Sequence, residues 1–241
     1  MSALTNLTID TSIENESDSI GYSGALESNV YLATITLAYV MKSAGGATGL
    51  VINAKTAADQ EIRQTLWVTS GTAKGGKNYY ERDGKKNYLP GFLQAQALSL
   101  LTIGKDISDV ETEVKVVNAY NSDTKSEIPT KVDMLVDLLG KEIYIGLLKQ
   151  KVDRTAKNDA GVYVPTGETR EENEIDKLFR ASDKLTTSEI RAQSTSPVFF
   201  DTWTDKWEGI TRDRSTSASG GAKSPVASVA TSKKPATSLF S

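Results

Sequence analysis

The sequence predicts a mainly β protein with one folded domain, a few added helices and a disordered C-terminal tail. Alternation of apolar and polar residues, the period of a half-buried strand, recurs through the middle of the chain. A length of 241 residues suits one compact domain with appendages. Residues 215–241 consist almost wholly of Ser, Ala, Thr, Gly, Pro and Lys, a composition that cannot fill a hydrophobic core.

Strand signals dominate the first part of the domain. The segments that predict strands are 30–41, 49–54, 64–69, 113–120 and 131–139. The first of them is long enough for a half-buried strand, with Thr34 and Thr36 on its outer face. The side chains expected together on its other face are those of Tyr31, Ala33, Ile35, Leu37 and Tyr39.

Asp83 and Gly84 form the two-residue loop best suited to a type I′ β-hairpin. The loop fixes the register of the flanking strands. The expected pairs are Tyr79 with Tyr88, Tyr80 with Asn87, Glu81 with Lys86 and Arg82 with Lys85. One side of this hairpin then combines an aromatic ring with two cations and no acid.

Helical spacing of apolar residues predicts a helix over 90–103, which Gly104 ends. Two shorter helices are expected at 188–192 and 197–209. In the second of these, Trp203 and Trp207 lie four residues apart, so they share one face and are expected to anchor the helix to the core.

Residues 142–153 predict one more strand, with a bulge at Gly146. The bulge is expected to bring Leu148 and Val152 onto the inner face. The residues then expected to point outward together are Tyr144, Lys149 and Lys151.

The chain is expected to divide into an acidic flexible arm at 1–29, a folded domain at 30–214 and a disordered tail at 215–241. Residues 1–30 hold five of the 31 acidic residues and no Lys or Arg. The remaining chain holds 28 basic and 26 acidic residues, so the body is mildly basic behind an acidic leader. The tail closes on an apolar tip, Leu239 and Phe240.

The chain contains no Cys and no His. Disulfides, thiolate zinc sites, cysteine nucleophiles, Ser-His-Asp triads and HExxH metal sites are therefore excluded. We expect a binding protein rather than an enzyme, with no cofactor and no bound metal. Because the sequence has neither a long apolar run nor a basic region followed by an apolar stretch at its start, we expect a soluble cytoplasmic protein with no membrane partner.

Two motifs keep an enzyme open as an alternative. The stretch from Gly71 to Asn78 nearly matches the phosphate-binding pattern GxxxxGK[ST], but Asn78 stands where the Mg²⁺-binding hydroxyl should be. Glu113 and Lys115, with Asp106 and Asp109 upstream, are the residue types that a Mg²⁺-dependent nuclease requires. The other alternative is a structural or scaffolding protein whose basic surface contacts protein.

Aromatic and cationic residues interleave in two parts of the chain. The first runs from Trp67 to Tyr88 and the second from Tyr144 to Arg154. Single strands of nucleic acid need both types, because unpaired bases stack on rings while cations follow the phosphates. Ordinary strands are also rich in Tyr and Trp, so the pattern is also consistent with Trp67 as a core residue. It is likewise consistent with Tyr79 and Tyr88 forming only a cross-strand pair.

Three stretches of the sequence resemble the single-stranded DNA-binding proteins of tailed bacteriophages. They are 88–120 (YLPGFLQAQALSLLTIGKDISDVETEVKVVNAY), 131–179, which contains PTGETREENEIDKLF, and 199–215 (FFDTWTDKWEGITRDRS). Together they cover somewhat under half of the chain. The resemblance implies an OB-like five-stranded barrel with elaborations that coats single strands during phage DNA replication, recombination and repair, in the cytoplasm of the host cell.

We therefore predict sequence-nonspecific binding of single-stranded DNA. The residues expected to contact DNA are Trp67, Lys77, Tyr80, Arg82, Lys85, Lys86, Tyr88, Tyr144, Lys149, Lys151 and Arg154. The tail departs from the acidic tails common in such proteins, because no acid follows Asp213. Two hypotheses concern the ends: Leu239 and Phe240 bind replication or recombination proteins, and the acidic arm competes with DNA for the basic groove.

Overall fold

Antiparallel β-structure dominates the computed structural model, which describes residues 24–121, 124, 126–159, 163–216 and 226–227. Within these residues the strands are β1 (Asn29–Lys42), β2 (Thr48–Thr56), β3 (Glu61–Trp67), β4 (Tyr79–Arg82), β5 (Lys85–Tyr88), β6 (Glu113–Asn121), β7 (Ser126–Met134), β8 (Glu142–Lys157), β9 (Tyr163–Arg180), β10 (Ile210–Asp213) and β11 (Val226–Ala227). The α-helices are α1 (Pro90–Ile103), α2 (Thr187–Arg191) and α3 (Val198–Trp207). The expected mainly β class with added helices is confirmed. No helix among the described residues is long and apolar enough to cross a membrane.

Five strands lie side by side in the order β3–β2–β1–β8–β9, each antiparallel to its neighbours. The other strands of this sheet extend its edges. β7 pairs with β1 beyond the end of β8 and carries β6, while β10 runs parallel to β8 and carries β11. The β4–β5 hairpin forms a separate two-stranded sheet.

The two ends of this five-stranded path approach each other. The side-chain oxygen of Gln64, on β3, accepts a hydrogen bond from the backbone N–H of Ile175 on β9, at 2.5 Å. The side-chain nitrogen of Gln94, on α1, donates to the carbonyl oxygen of the same Ile175, also at 2.5 Å. In the part of the chain that the structure describes, β3 and β9 share no ladder of backbone hydrogen bonds, so the sheet is bent but does not close into a barrel.

Three hydrophobic clusters hold these layers together. The largest fills the concave side of the bent sheet, where Ile35, Leu66 and Ile145 pack against Leu98 of α1. A second lies under the β6–β7 hairpin and consists of Tyr39, Val51, Val132 and Met134. The third lies under α3 and consists of Leu148, Phe179 and Trp203. Both faces of the central strands are therefore covered.

A bulge corrects the expected face assignment of β1. The register with β2 shifts between Ile35 and Leu37, so Thr36 is the extra residue. Before the shift Ile35 faces the large cluster, whereas after it Ala38 faces that cluster. Leu37 and Tyr39 consequently point to the second cluster instead of sharing a face with Ile35, as the alternation had predicted.

A second bulge lies in β9. The sequence predicted this bulge in β8, at Gly146, so the prediction is wrong about which strand carries the extra residue. Gly146 pairs with Lys177 and Leu147 with Ile175, which leaves Asp176 as the extra residue. The alternation of β8 is unbroken, so Leu147 lies in the large cluster and Leu148 packs on the opposite face, under Trp203. The expected inward shift of Leu148 does not occur.

The described residues extend the folded body beyond both expected boundaries. Leu26 and Ser28 are buried, although the arm was expected to reach residue 29. Asn173 holds this segment, because its side chain accepts from the Leu26 N–H and donates to the Leu26 carbonyl, both at 2.8 Å. At the other end Ser215 is buried, within the expected tail. Residues 1–23 of the arm and the tip at Leu239 and Phe240 lie outside the described residues.

The locally determined elements form as expected. The hairpin has the predicted register, with Asp83 and Gly84 both at positive φ, as a type I′ turn requires. The helix over 90–103 ends at Gly104, in the left-handed conformation. Trp203 anchors α3: it is 3% exposed, its ring lies over Gly146, and its indole N–H donates to Asp176 at 2.7 Å.

Candidate nucleic-acid interface

Trp67 lies at the end of β3 with its indole on the outer side of the sheet. Leu66, the preceding residue, is 1% exposed, whereas Trp67 is 41% exposed, so Trp67 is a surface residue and not part of the core. It pairs with Gly49 of β2, and its six-membered ring covers the space above that glycine. One face of the indole is thus supported by the sheet while much of the ring meets solvent.

An open cleft of about 1050 Å³ lies in front of this tryptophan. The residues that line it come from the β1–β2 turn, β3, the loop after it, the β4–β5 hairpin, the start of α1 and β9. Those with side chains able to contact a ligand are Gln64, Thr65, Trp67, Lys74, Lys77, Tyr79, Tyr80, Glu81, Gln94 and Glu174. The cleft therefore joins three aromatic rings to two lysines.

The loop that carries Lys74 and Lys77 is fixed by hydrogen bonds to itself and to the β1–β2 turn. The Ser70 N–H donates to the Lys77 carbonyl at 2.8 Å, and the Lys77 N–H donates to the Ser70 hydroxyl at 3.0 Å. The Thr72 N–H donates to the Gly45 carbonyl at 2.9 Å. The loop therefore holds its two lysines at the mouth of the cleft instead of leaving them on a free chain.

The β4–β5 hairpin forms one wall of the cleft and presents its rings to solvent. Tyr80 and Tyr88 are 46% and 54% exposed. Tyr79 has two ammonium groups near its ring, those of Lys77 at 5.4 Å and Lys86 at 5.0 Å from the ring centre. These cations support the ring electrostatically and remain accessible to a phosphate. Tyr88 packs at 4.9 Å from the ring of Phe92, which ties the hairpin to α1.

The cations around the cleft are largely free of carboxylate partners. Within the described residues, Lys74, Lys77, Lys85 and Lys86 form no ion pair with a carboxylate, and Arg82 meets only its exposed neighbour Asp83, at 3.6 Å. An unpaired lysine offers its full charge to a phosphate. The loop and hairpin therefore carry free positive charge beside the exposed rings.

Lys149 is occupied by two carboxylates. Its ammonium group lies 2.9 Å from Glu27 and 3.1 Å from Glu171, and its side chain is only 14% exposed. The hydrogen bond to Glu27, with a further one to Glu171, raises the lysine pKa above 10.5 although burial opposes this. Lys149 thus ties the start of the folded chain to β9, and the structure does not bring it to the cleft.

Tyr144 also lies away from the cleft. It packs beneath α3, where its ring meets Phe200 edge-on at 5.7 Å and has the Lys184 ammonium group at 5.7 Å. Lys151 and Arg154 lie further along β8, where Arg154 is 3.7 Å from Glu168. The structure therefore separates the expected contact residues into three groups. Trp67, Lys77 and Tyr80 line the cleft. The remaining hairpin residues, Arg82, Lys85, Lys86 and Tyr88, lie beside the cleft without lining it, and the β8 group lies away from it.

The two motifs that suggest enzyme chemistry form contacts within the protein that such chemistry does not use. The backbone N–H groups of Lys74, Gly75 and Gly76 donate to carbonyls within the Gly71 loop, so they are not directed at a bound phosphate. Glu113 and Lys115 form an exposed ion pair with each other at 2.7 Å. Among the described residues, no group of three metal-ligating side chains lies close enough to hold a metal ion.

Sequence reasoning missed most of the residues that line the cleft, among them Lys74, Tyr79, Gln94 and Glu174. Lys74 and Tyr79 belong to the basic aromatic stretch but were not among the expected DNA contacts. Gln94 and Glu174 come from α1 and β9 and have no local signal, because only the bending of the sheet brings these elements to Trp67. Glu174 already accepts hydrogen bonds from Arg212 and Arg214, so its negative charge is largely neutralised.

Comparison with models of known protein families finds no family that matches this chain, and comparison with curated proteins finds no matching relative.

Proposed function

We propose that the protein binds single-stranded DNA with little sequence preference in the cleft beside Trp67. The observation that carries the proposal is the half-exposed indole, supported on Gly49, in a cleft lined by two lysines that form no ion pair within the described residues. Stacking of a base on a fixed ring costs the protein little conformational entropy, since the ring is already held in place.

The chemistry of the cleft suits single strands better than duplex. Unpaired bases expose their faces, so they can stack on Trp67, Tyr79 and Tyr80, whereas the faces of paired bases are already stacked on each other. Lys74 and Lys77 lie where they can contact the phosphates between those bases. Because stacking and phosphate contacts read no base edge, binding should be nearly independent of sequence.

An OB-like fold is part of the proposal. An OB fold is a partly open five-stranded barrel that binds oligonucleotides on one face. The five-stranded path, the bend that brings β3 near β9, and the bridge by Gln64 and Gln94 support an OB-like fold whose barrel is completed by α1 and side chains. In this view Trp67 lies on the edge strand, where a bound strand can reach it.

The biological role that we propose is the coating of single strands during phage DNA replication, recombination and repair in the cytoplasm of the host cell. This part rests on the resemblance of the three sequence stretches. We also propose that the tip at Leu239 and Phe240 recruits replication or recombination proteins. Deleting residues 238–241 should then abolish partner pull-down and leave DNA affinity unchanged.

A fluorescence titration tests the binding proposal directly. The chain has three tryptophans. Trp203 is buried, and Trp207, the last residue of α3, is partly buried against the third cluster, so quenching by DNA should come from Trp67. We expect an unstructured single strand to quench the native protein and Trp207→Phe, but not Trp67→Phe. Duplex of matched length should bind weakly, and added salt should weaken binding steeply.

Other outcomes of the titration would favour the alternatives. Equal affinity for duplex and single strand would indicate a general cationic surface, and no binding at low salt would favour a scaffolding protein. Cleavage of DNA that depends on Mg²⁺ would favour a nuclease. Quenching that persists in Trp67→Phe would place the interface elsewhere on the molecule.

A further inference from the structure

Strand β6 ends the sheet with an unpaired edge. It pairs with β7 along its whole length, and within the described ranges no strand pairs with its other side. An open edge presents backbone N–H and C=O groups that can add another strand. Natural proteins often protect such edges with proline or with charged side chains, especially lysine. Residues 113–116 contain no proline, and their two charged residues, Glu113 and Lys115, alternate with Val114 and Val116 and so leave the valine face without a charge of its own.

The exposed side chains of this edge are unusually apolar for its position. Val114 and Val116 are 67% and 63% exposed, and Val114 has the highest value among the large hydrophobic side chains of the described residues. Both lie on the outer face of the β6–β7 hairpin, opposite Asp133 and Lys131 of β7. A neighbouring strand paired to β6 would cover these valines while satisfying the backbone.

The charges on this edge are complementary to those of a second, antiparallel copy of β6. Glu113 and Lys115 flank Val114 and lie on the same face, about half-exposed. If two copies of β6 pair antiparallel about a two-fold axis at Val114, Glu113 of each copy faces Lys115 of the other. The same register places the two Val114 side chains directly opposite each other and Val116 diagonal to them. One face of the paired strands then has opposite charges in contact, and the other face has valines in contact.

We propose that β6 is a self-association edge, through which a second copy of this chain adds its own β6 in this antiparallel register. A two-fold arrangement of identical strands is the commonest way in which a chain forms a dimer. A single pair of strands buries less than the roughly 800 Å² per partner of a stable interface, so the dimer should be reversible and depend on concentration. The inference is independent of DNA binding.

Sedimentation equilibrium of the full chain without nucleic acid tests this inference. The native protein should shift from monomer to dimer as its concentration rises. Glu113→Lys alone should weaken self-association roughly tenfold, because a lysine then faces a lysine on each side of the axis. Lys115→Glu should have the same effect, because a glutamate then faces a glutamate at both places. Thermal unfolding by circular dichroism checks that both variants are folded.

Mixing the two variants is the decisive step. In an equimolar mixture, each lysine of Glu113→Lys faces a glutamate of Lys115→Glu, so association should return to the native level. The double variant E113K/K115E should also dimerise. The intrachain Glu113–Lys115 contact cannot produce rescue between two different molecules. A native protein that stays monomeric, single variants that associate normally, or a mixture without rescue would each overturn the proposal.

Discussion

Trp67 lies directly opposite Gly49 in the β2–β3 ladder, and the glycine provides the space that the indole occupies. A side-chain carbon at position 49 would lie 3.0 Å from the Trp67 ring and 2.8 Å from the Thr65 methyl group. Glycine weakens a strand, and here it allows an aromatic ring to lie close against the sheet. The ring is then fixed in orientation before any ligand arrives.

The first prediction concerns this pair. Trp67→Ala should weaken binding of single-stranded DNA by roughly 5- to 150-fold, since stacking of one base contributes about 1 to 3 kcal/mol. Gly49→Ala should weaken it less, because it displaces the ring without removing it. Binding isotherms measured by anisotropy of labelled DNA check both variants. Trp207→Phe is the control, and equal affinity of Trp67→Ala and the native protein would contradict the assignment.

The second prediction separates free lysines from paired ones. Lys74→Gln with Lys77→Gln should lower the slope of log affinity against log salt concentration by about 1.4, or about 0.7 for each phosphate contact on a single strand. Lys149→Gln should leave that slope unchanged, since Glu27 and Glu171 occupy Lys149. The slopes come from titrations at several salt concentrations. If Lys149→Gln lowered the slope more than the double variant does, the DNA interface would lie on β8 and not at the cleft.

The sequence predicts what neighbouring residues determine. The register of the β4–β5 hairpin follows from Asp83 and Gly84, whose backbone conformation admits only one pairing of the flanking residues. The end of α1 follows from Gly104. The face of Tyr80 also follows from the register that the turn sets. The sequence left Trp67 open to a core position, and only the structure shows that its ring is exposed.

Long-range contacts determine the parts that the sequence did not predict. The residues of β9 around Thr169 and Glu174 are polar, and they form a strand because β8 pairs with them along its full length. Thr36 carries no signal for its bulge, which arises where β1 turns from one cluster to another. Lys149 resembles a phosphate ligand in sequence, and only the fold shows Glu27, distant in the chain, beside it.

The third prediction concerns Glu189, which joins α2 to α3. Burial opposes ionisation of this carboxyl, but hydrogen bonds from the Phe199 and Thr186 N–H groups and the Thr186 hydroxyl outweigh it and lower its pKa below 4.5. Its contribution to stability is therefore present above pH 4.5 and is lost as pH falls through the lowered pKa. Glu189→Gln should cost about 1 kcal/mol at neutral pH, the usual value of a capping interaction.

Urea unfolding at several pH values measures this contribution. The difference in unfolding free energy between the native protein and Glu189→Gln should narrow as the solution becomes acidic below pH 4.5. Glu111→Gln changes an exposed carboxylate and serves as the control, for which we expect little effect at any pH. A difference that stays constant through acid would mean that the charge of Glu189 contributes nothing.

The fourth prediction concerns the bridge between the first and last strands of the bent sheet. Gln64→Leu removes the acceptor of the Ile175 N–H, and Ile175 is only 2% exposed, so this donor becomes unsatisfied. The free energy of unfolding should therefore fall by about 1 to 3 kcal/mol. Amide hydrogen exchange of Ile175 should speed up more than that of Ile145, which keeps its place in the ladder with Leu178. Gln60→Leu, in the β2–β3 turn, controls for the substitution. If protection of Ile175 is unchanged in Gln64→Leu, packing of α1 alone holds β9 against β3, and the glutamine bridge is a consequence of the bend and not one of its causes.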